Sequence, residues 1–252
     1  MRFASLGSGS RGNALLVEHA STRVLLDCGF SVRETEQRLA RLGRCGEDLS
    51  AIVVTHEHGD HINGVGALAR KYGLAVWATA GTLAVDRLGA LSKVHGFSSH
   101  QAFVLGDLQV QPFPVPHDAR EPCQFVFSDG QRRLGVLTDV GCATAHIAER
   151  LDGCDALVLE CNHEKTLLDN GNYPPSLKRR VGGDQGHLSN AQAEDLLRRL
   201  ETGVLKQIVA AHLSEKHNTP ELARAALSAA LGCEDDWIAV ATQDEGLDWR
   251  EV

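Results

Sequence analysis

A chain of 252 residues, 43% hydrophobic and 23% charged, can bury a substantial core without disulfides, and it has no apolar run near the roughly 18 residues of a membrane span. Its formal net charge of −8 argues against a broad basic surface for gripping nucleic acid, although bound dications would create a local positive site whatever the overall balance. Seven scattered cysteines without a C-x-x-C pair, and an N-terminus (MRFASLGSGS) without an apolar leader, point to reduced thiols in the cytoplasm rather than a secreted disulfide framework.

Hydrophobic periodicity predicts strands at Phe3–Leu6, Ala14–Glu18 and Arg23–Asp27, then a helix at Val32–Leu42. Next come a strand at Ala51–Thr55, a helix at Gly64–Tyr72, a strand at Ala75–Ala78 and a helix at Thr79–Leu88. Strands follow at Leu108–Phe113, Cys123–Phe127 and Arg133–Thr138, with a helix at Ala143–Leu151 and a strand at Ala156–Glu160. The last elements are a helix at Asn190–Leu200, a strand at Gln207–Ala211 and a helix at Pro220–Leu231. Asn190 reads as a helix cap, and Thr219-Pro220 as a cap followed by proline at the first helical position. The interval Gly171–Gly186 reads as a loop bordering a cleft. Without linker, charge block or repeat, the α/β chain is expected to form one domain over residues 1–252.

Gly7-Ser-Gly9-Ser-Arg-Gly12 matches G-x-G-x-x-G after a strand, but a dinucleotide fingerprint needs a helix to open there. Strand-like sequence follows instead, so these glycines are expected to form a hairpin or rim loop, with Asn13 its best polar candidate for lining a site.

The chemistry concentrates in Thr55-His56-Glu57-His58-Gly59-Asp60-His61, which ends the apolar run Ala51–Val54. Three imidazoles and a carboxylate after a buried strand are poor for packing and good for metal. Side chains two apart on extended chain point the same way, so His56 and His58 can converge on one ion. Gly59 permits a turn that swings Asp60 and His61 toward a neighbouring position. Further donors stand at or beyond the ends of apolar strands: His117, Asp139 and His212. Together they make a two-metal set, with His56, His58 and His117 on one ion, Asp60, His61 and His212 on the other, and Asp139 between.

The pattern His56-x-His58-x-Asp60-His61, then His117, Asp139 and His212, resembles the metallo-β-lactamase fold superfamily of metal-dependent hydrolases across nearly the whole chain. SLGSGSRGN at 5–13, LLDCG at 25–29, VTHEHGDH at 54–61, VPHDAREP at 115–122, GHLSN at 186–190 and AHLSEKHN at 211–218 resemble the YycJ/WalJ (VicX) group. The resemblance implies a four-layer αββα sandwich with metals at one edge of the packed sheets. It also implies a 5′-to-3′ exonuclease acting on phosphodiesters of DNA or RNA. The chain is similar, less closely, to cyclic-phosphate phosphodiesterases and transfer-RNA 3′-processing endonucleases.

On a phosphodiester, two cations would activate a water that Asp60 orients, while His187, placed like the histidine upstream of the last ligand in related phosphodiesterases, would protonate the leaving oxygen. Asn162, His163, Ser214 and Asn218 are expected to shape the surroundings or touch substrate, and Lys178-Arg179-Arg180 could track a phosphate backbone. The all-His/Asp donor set admits Zn²⁺, Mn²⁺ or Fe²⁺. The alternatives are a phosphodiesterase for a small cyclic phosphate or nucleotide, and a regulatory metal-binding protein. The sequence leaves the oligomeric state open.

Overall fold

The computed structural model describes residues 1–252. Its strands begin with β1 (Arg2–Gly7), β2 (Ala14–His19), β3 (Thr22–Leu26), β4 (Ala51–Val53), β5 (Ala75–Ala78), β6 (Val94–Gly96) and β7 (Phe103–Leu105). They continue with β8 (Leu108–Pro114), β9 (Cys123–Ser128), β10 (Arg133–Leu137), β11 (Ala156–Glu160), β12 (Gln207–Ala211), β13 (Ala239–Val240) and β14 (Leu247–Glu251). One seven-stranded sheet runs β14-β1-β2-β3-β4-β5-β6 and the other β13-β12-β11-β10-β9-β8-β7. Each is mixed: β3, β4, β5 and β6 are parallel in the first, as are β10, β11, β12 and β13 in the second.

The period-2 alternation of strand side chains sorts the apolar residues into layers. Leu15, Val17, Val24, Leu26 and Val53 face Val110, Phe125, Phe127, Val136 and Val158 in the core between the sheets. The alternate residues Leu16, Leu25 and Ile52 face outward and pack under α1 (Val32–Arg41), the short α2 (Gly59–Ile62) and α3 (Val65–Tyr72). A fourth helix, α4 (Ala80–Leu83), follows β5. On the outer face of the second sheet, Leu137, Leu157, Leu159 and Ile208 are covered by α5 (Ala145–Leu151), α8 (Asn190–Leu197) and α9 (Pro220–Leu231). Between α5 and α8 lie α6 (Lys165–Asn170) and α7 (Pro175–Val181). The layers are therefore αββα. No helix is long and apolar enough to cross a membrane.

Several expectations change. The helix expected at Thr79–Leu88 is α4 plus a 3₁₀ turn at Asp86–Leu88, interrupted where Val85 is extended at φ −95° and ψ 135°. The interval expected as loop at Gly171–Gly186 contains α7, because Pro175, at the first helical position, starts a helix that its preset φ favours. The cap of α8 is Ser189 rather than Asn190: its Oγ accepts from Gln192 N, and Gln192 Oε1 accepts from Ser189 N in return. The unexpected strands β6, β7, β13 and β14 are short or polar and lie at the sheet edges, where pairing rather than hydrophobic alternation defines them. The Gly7–Gly12 segment connects β1 to β2 without a helix, as expected.

Candidate metal centre

The carboxyl ends of β3, β4, β10, β11 and β12, with the segment after β8, deliver polar side chains to one edge of the sandwich. Asp27 follows β3, His56 and His58 follow β4, and α2 carries Asp60 and His61. His117 lies beyond β8, Asp139 beyond β10 and His212 after β12, while Glu160 is the last residue of β11. Three of these, Asp27 (φ 61°), Asp139 (φ 52°) and His212 (φ 54°), adopt the left-handed conformation that side chains other than glycine's rarely take. Such strain collects where surrounding structure fixes an unusual side-chain direction.

The expected donors fall into two groups in which the ligand atoms lie within 4.8 Å of one another, His56, His58 and His117, and Asp60, His61, Asp139 and His212; Asp139 and His212 lie equally close to Glu160 and His187. His58 Nδ1 is 3.2 Å from His117 Nε2, and His61 Nε2 is 3.0 Å from Asp139 Oδ2. His212 Nε2 is 3.6 Å from Asp60 Oδ2 and 3.5 Å from Asp139 Oδ1. Asp139 Oδ1 is also 3.9 Å from His117 Nε2, which places this carboxylate between the groups. Donors about 2.0–2.2 Å from a tetrahedral ion are roughly 3.3–3.6 Å apart, so the spacing suits coordination.

Each imidazole has one nitrogen tied to oxygen, leaving the other toward the centre. His61 Nδ1 donates to Asp27 Oδ2 at 2.8 Å, and Thr55 Oγ1 donates to the same oxygen while meeting His56 Nδ1 at 2.9 Å. His58 Nε2 meets the Asp118 carbonyl at 3.2 Å, and His117 Nδ1 meets that of Gly186 at 3.0 Å. Glu160 Oε1 accepts from His212 Nδ1 at 3.2 Å. Outer partners of this kind fix tautomer and ring direction in metal sites. His56 Nε2 and His212 Nε2 are buried and have no hydrogen-bond partner, which a cation would supply. The residues therefore fit divalent metal.

The two groups differ in charge. Burial, then the neighbouring His61, pushes His56 below its ordinary range, and burial does the same to His117. Burial also opposes charge on His61 and His212, but Asp139 with the other carboxylates outweighs it; His61 is raised and His212 pushed up to about 10. A cation entering the second group therefore displaces protons.

Beside these groups lies His187, whose Nδ1 donates to Glu160 Oε1 at 2.8 Å. The other oxygen of Glu160 accepts from Val140 N and Leu188 N, so this fully buried carboxylate is fixed on both sides. Burial alone would raise the Glu160 carboxyl; His187 and His212 hold it down at about 2. His187, Asp60, Asp139 and His212 line a cleft of about 270 Å³ together with Ser10 and Arg180. Arg180 Nε donates to Asp118 Oδ2 at 2.6 Å across its rim.

All seven expected donors meet here, and Asn13 joins them, its Nδ2 3.2 Å from both Asp60 Oδ2 and His61 Nε2. Asn162 stands behind the centre and donates to the His212 carbonyl. Asn218 donates to the Cys161 carbonyl and pairs with Asn190, Ser214 accepts from His217 N, and His163 lines a different hollow; none of these three lines the metal cleft. Asp27 and Glu160 were not singled out from the sequence, although each closes an apolar strand as Asp139 does.

Residues 22–212 match the family described as "Beta-lactamase superfamily domain". The chain is 38% identical over 240 residues to exodeoxyribonuclease YycJ of Bacillus anthracis, covering 92% of this chain and 89% of that protein. It is 36% identical over 228 residues to exodeoxyribonuclease WalJ of Streptococcus pneumoniae serotype 2, covering 88% and 85%. The fold is shared with the metallo-β-lactamase fold protein YhfI of Bacillus subtilis, at TM-score 0.76 and 16% identity over 99% of each chain. With two sheets meeting at an edge of imidazoles and carboxylates, and relatives matched over most of its length, the chain belongs to the metallo-β-lactamase superfamily, in the group that includes the YycJ and WalJ proteins.

Proposed function

We propose that this protein is a 5′-to-3′ exonuclease that hydrolyses phosphodiesters of DNA with two bound divalent ions, Zn²⁺ or Mn²⁺, or Fe²⁺. His56, His58 and His117 would hold one ion and Asp60, His61 and His212 the other, with Asp139 shared. When bound, such ions neutralise a phosphate and lower the pKa of a coordinated water. Asp60 accepts a hydrogen bond from the attacking water and orients it. Arg180 gives only its Nε to Asp118 at the rim, and its remaining N–H groups engage a non-bridging phosphate oxygen.

The observation that carries the reading is the His187–Glu160 pair in the cleft wall. The leaving alkoxide of a phosphodiester needs a proton, whereas a thiolate needs less help. With Nδ1 committed to Glu160, His187 presents Nε2 as the donor, and the carboxylate favours the imidazolium that can give a proton away. Exodeoxyribonuclease relatives support DNA as substrate. Seven unpaired cysteines support a reducing compartment such as the cytoplasm, and the core shared by both sheets supports one domain over residues 1–252. The test is degradation of 5′-labelled single- and double-stranded DNA and RNA with each metal. Stepwise loss from the 5′ end of DNA is expected; no turnover of any nucleic acid at full metal loading would overturn the reading.

A further inference from the structure

Helix α7 and the glycine turn after it separate two hollows. Arg180, Val181 and Gly186 line the metal cleft, whereas Lys178, Arg179 and Gly182 line a groove of about 480 Å³. One helix with its side chains is about 10–12 Å across, so the hollows are neighbours. The groove gathers Lys165, Lys178 and Arg179 against a single carboxylate, Asp169, in a chain whose net charge is −8. Asp169 is already engaged: its Oδ2 accepts from Lys165 Nζ at 2.9 Å and its carbonyl from Lys178 Nζ at 2.6 Å. The Arg179 guanidinium pairs with no carboxylate, unlike its neighbour Arg180.

The wall opposite supplies a second, independent feature. His163 is 3% exposed and lines the groove, yet its Nδ1 is buried without a hydrogen-bond partner. Its Nε2 approaches Gly182, lying 3.8 Å from where a Cβ there would stand. Burial holds the His163 imidazole down at about 4, so it is neutral near pH 7 and can donate one hydrogen bond without carrying charge. Ser189 and Gln192, the capping box of α8, complete that wall. Cations and a free guanidinium fork recognise phosphate oxygens, and the neutral imidazole of His163 stands in the same lining with hydrogen-bonding capacity to spare.

We propose that this groove binds a second phosphate of a nucleic-acid strand, one or two nucleotides from the phosphate held in the metal cleft, with α7 as the divider between them. The proposal rests on the nuclease reading for the identity of the ligand. It explains how an acidic protein holds a polyanion: Lys165, Lys178 and Arg179 gather in one groove beside the centre, where a strand would meet them. The phosphate is either the 5′-terminal one or an internal one of the backbone, and the chemistry of recognition is the same.

The test uses the full-length, Mn²⁺-loaded protein and the double variant Lys178→Ala with Arg179→Ala, on α7, where Arg179 is exposed and Lys178 half-buried. Binding is read by fluorescence anisotropy with a short single-stranded DNA of cleavage-resistant phosphorothioate linkages, bearing either a 5′-phosphate or a 5′-hydroxyl. Cleavage is read as kcat/KM on the natural strand relative to kcat/KM on bis-p-nitrophenyl phosphate, which reaches only the metal cleft. The double variant is expected to weaken strand binding at least tenfold, to reduce the log–log salt slope by about 1 to 2, and to lower the cleavage ratio at least tenfold. His163→Gln should weaken binding in the same direction with the salt slope unchanged. A loss confined to the 5′-phosphorylated strand assigns the terminal phosphate to the groove, and an equal loss with both strands assigns a backbone phosphate. Strand binding that depends on the groove without cleavage of the natural strand would remove the nuclease reading and keep the groove. Unchanged affinity and cleavage ratio in the double variant, or no strand binding by the wild-type protein, would overturn the proposal.

Discussion

Asp27 illustrates how one residue organises others: a single carboxylate in left-handed conformation aligns His61 directly and His56 through Thr55. Neutralising it while keeping its shape leaves the backbone in place but removes the acceptor that fixes both rings. Asp27→Asn is therefore expected to lower metal affinity about 10–100-fold, measured by titrating Mn²⁺ into metal-free protein. Unaltered affinity would show that the rings hold their direction without it. His117 and Asp139 were recognised in the sequence because each stands at or beyond the end of an apolar strand. Asp27 and Glu160 carry the same signal, but a strand-end carboxylate reads identically whether it faces a cation or the back of an imidazole that binds one. Only the three-dimensional arrangement separates those roles.

At the scale of elements, β1, β2 and β3 are clamped at one end by Glu18, which accepts from Arg2, Arg23 and Arg44. Burial alone would raise its carboxyl; hydrogen bonds from Arg44 and Arg2 more than offset this and hold it at about 2, against an ordinary 4.5. A group whose folded-state pKa is depressed contributes stability above its unfolded pKa and loses that contribution as pH falls through the folded one. Glu18→Gln is expected to cost about 2 kcal/mol at pH 7, discounted for partly exposed arginines, and progressively less between pH 4.5 and pH 2. Denaturant titrations of both proteins at neutral and acid pH check it; a difference independent of pH would refute it. Long elements with apolar alternation were legible in the sequence, as β2, β8, β11 and α9 show. The edge strands β6, β7, β13 and β14 were not, since their partners rather than their own composition define them. Helix α7 was misread because adjacent prolines signal a loop and a helix start equally well.

For the whole molecule, the inter-sheet core and the metal centre support one another, because the donors hang from the ends of strands that this core aligns. Phe125 is fully buried there, so Phe125→Ala is expected to cost about 3–5 kcal/mol. Metal present at about 100 times its dissociation constant adds about 2.7 kcal/mol to the folded state. For a chain of this size, chelation should then lower Tm by roughly 5–10 °C, seen by calorimetry with and without EDTA. An unchanged Tm would mean that no cation stabilises the fold.

Metal content and cleavage rate, measured side by side for the wild type, His212→Ala and His187→Ala, test the proposed centre most directly. The expected result is two ions and full cleavage for the wild type, lost metal for His212→Ala, and retained metal for His187→Ala. The last variant should cleave about 10²–10⁴-fold more slowly, most of all for strands with poor leaving groups. Equal loss of metal from both variants, or full cleavage by His187→Ala, would contradict the assignment of binding to one histidine and proton delivery to the other.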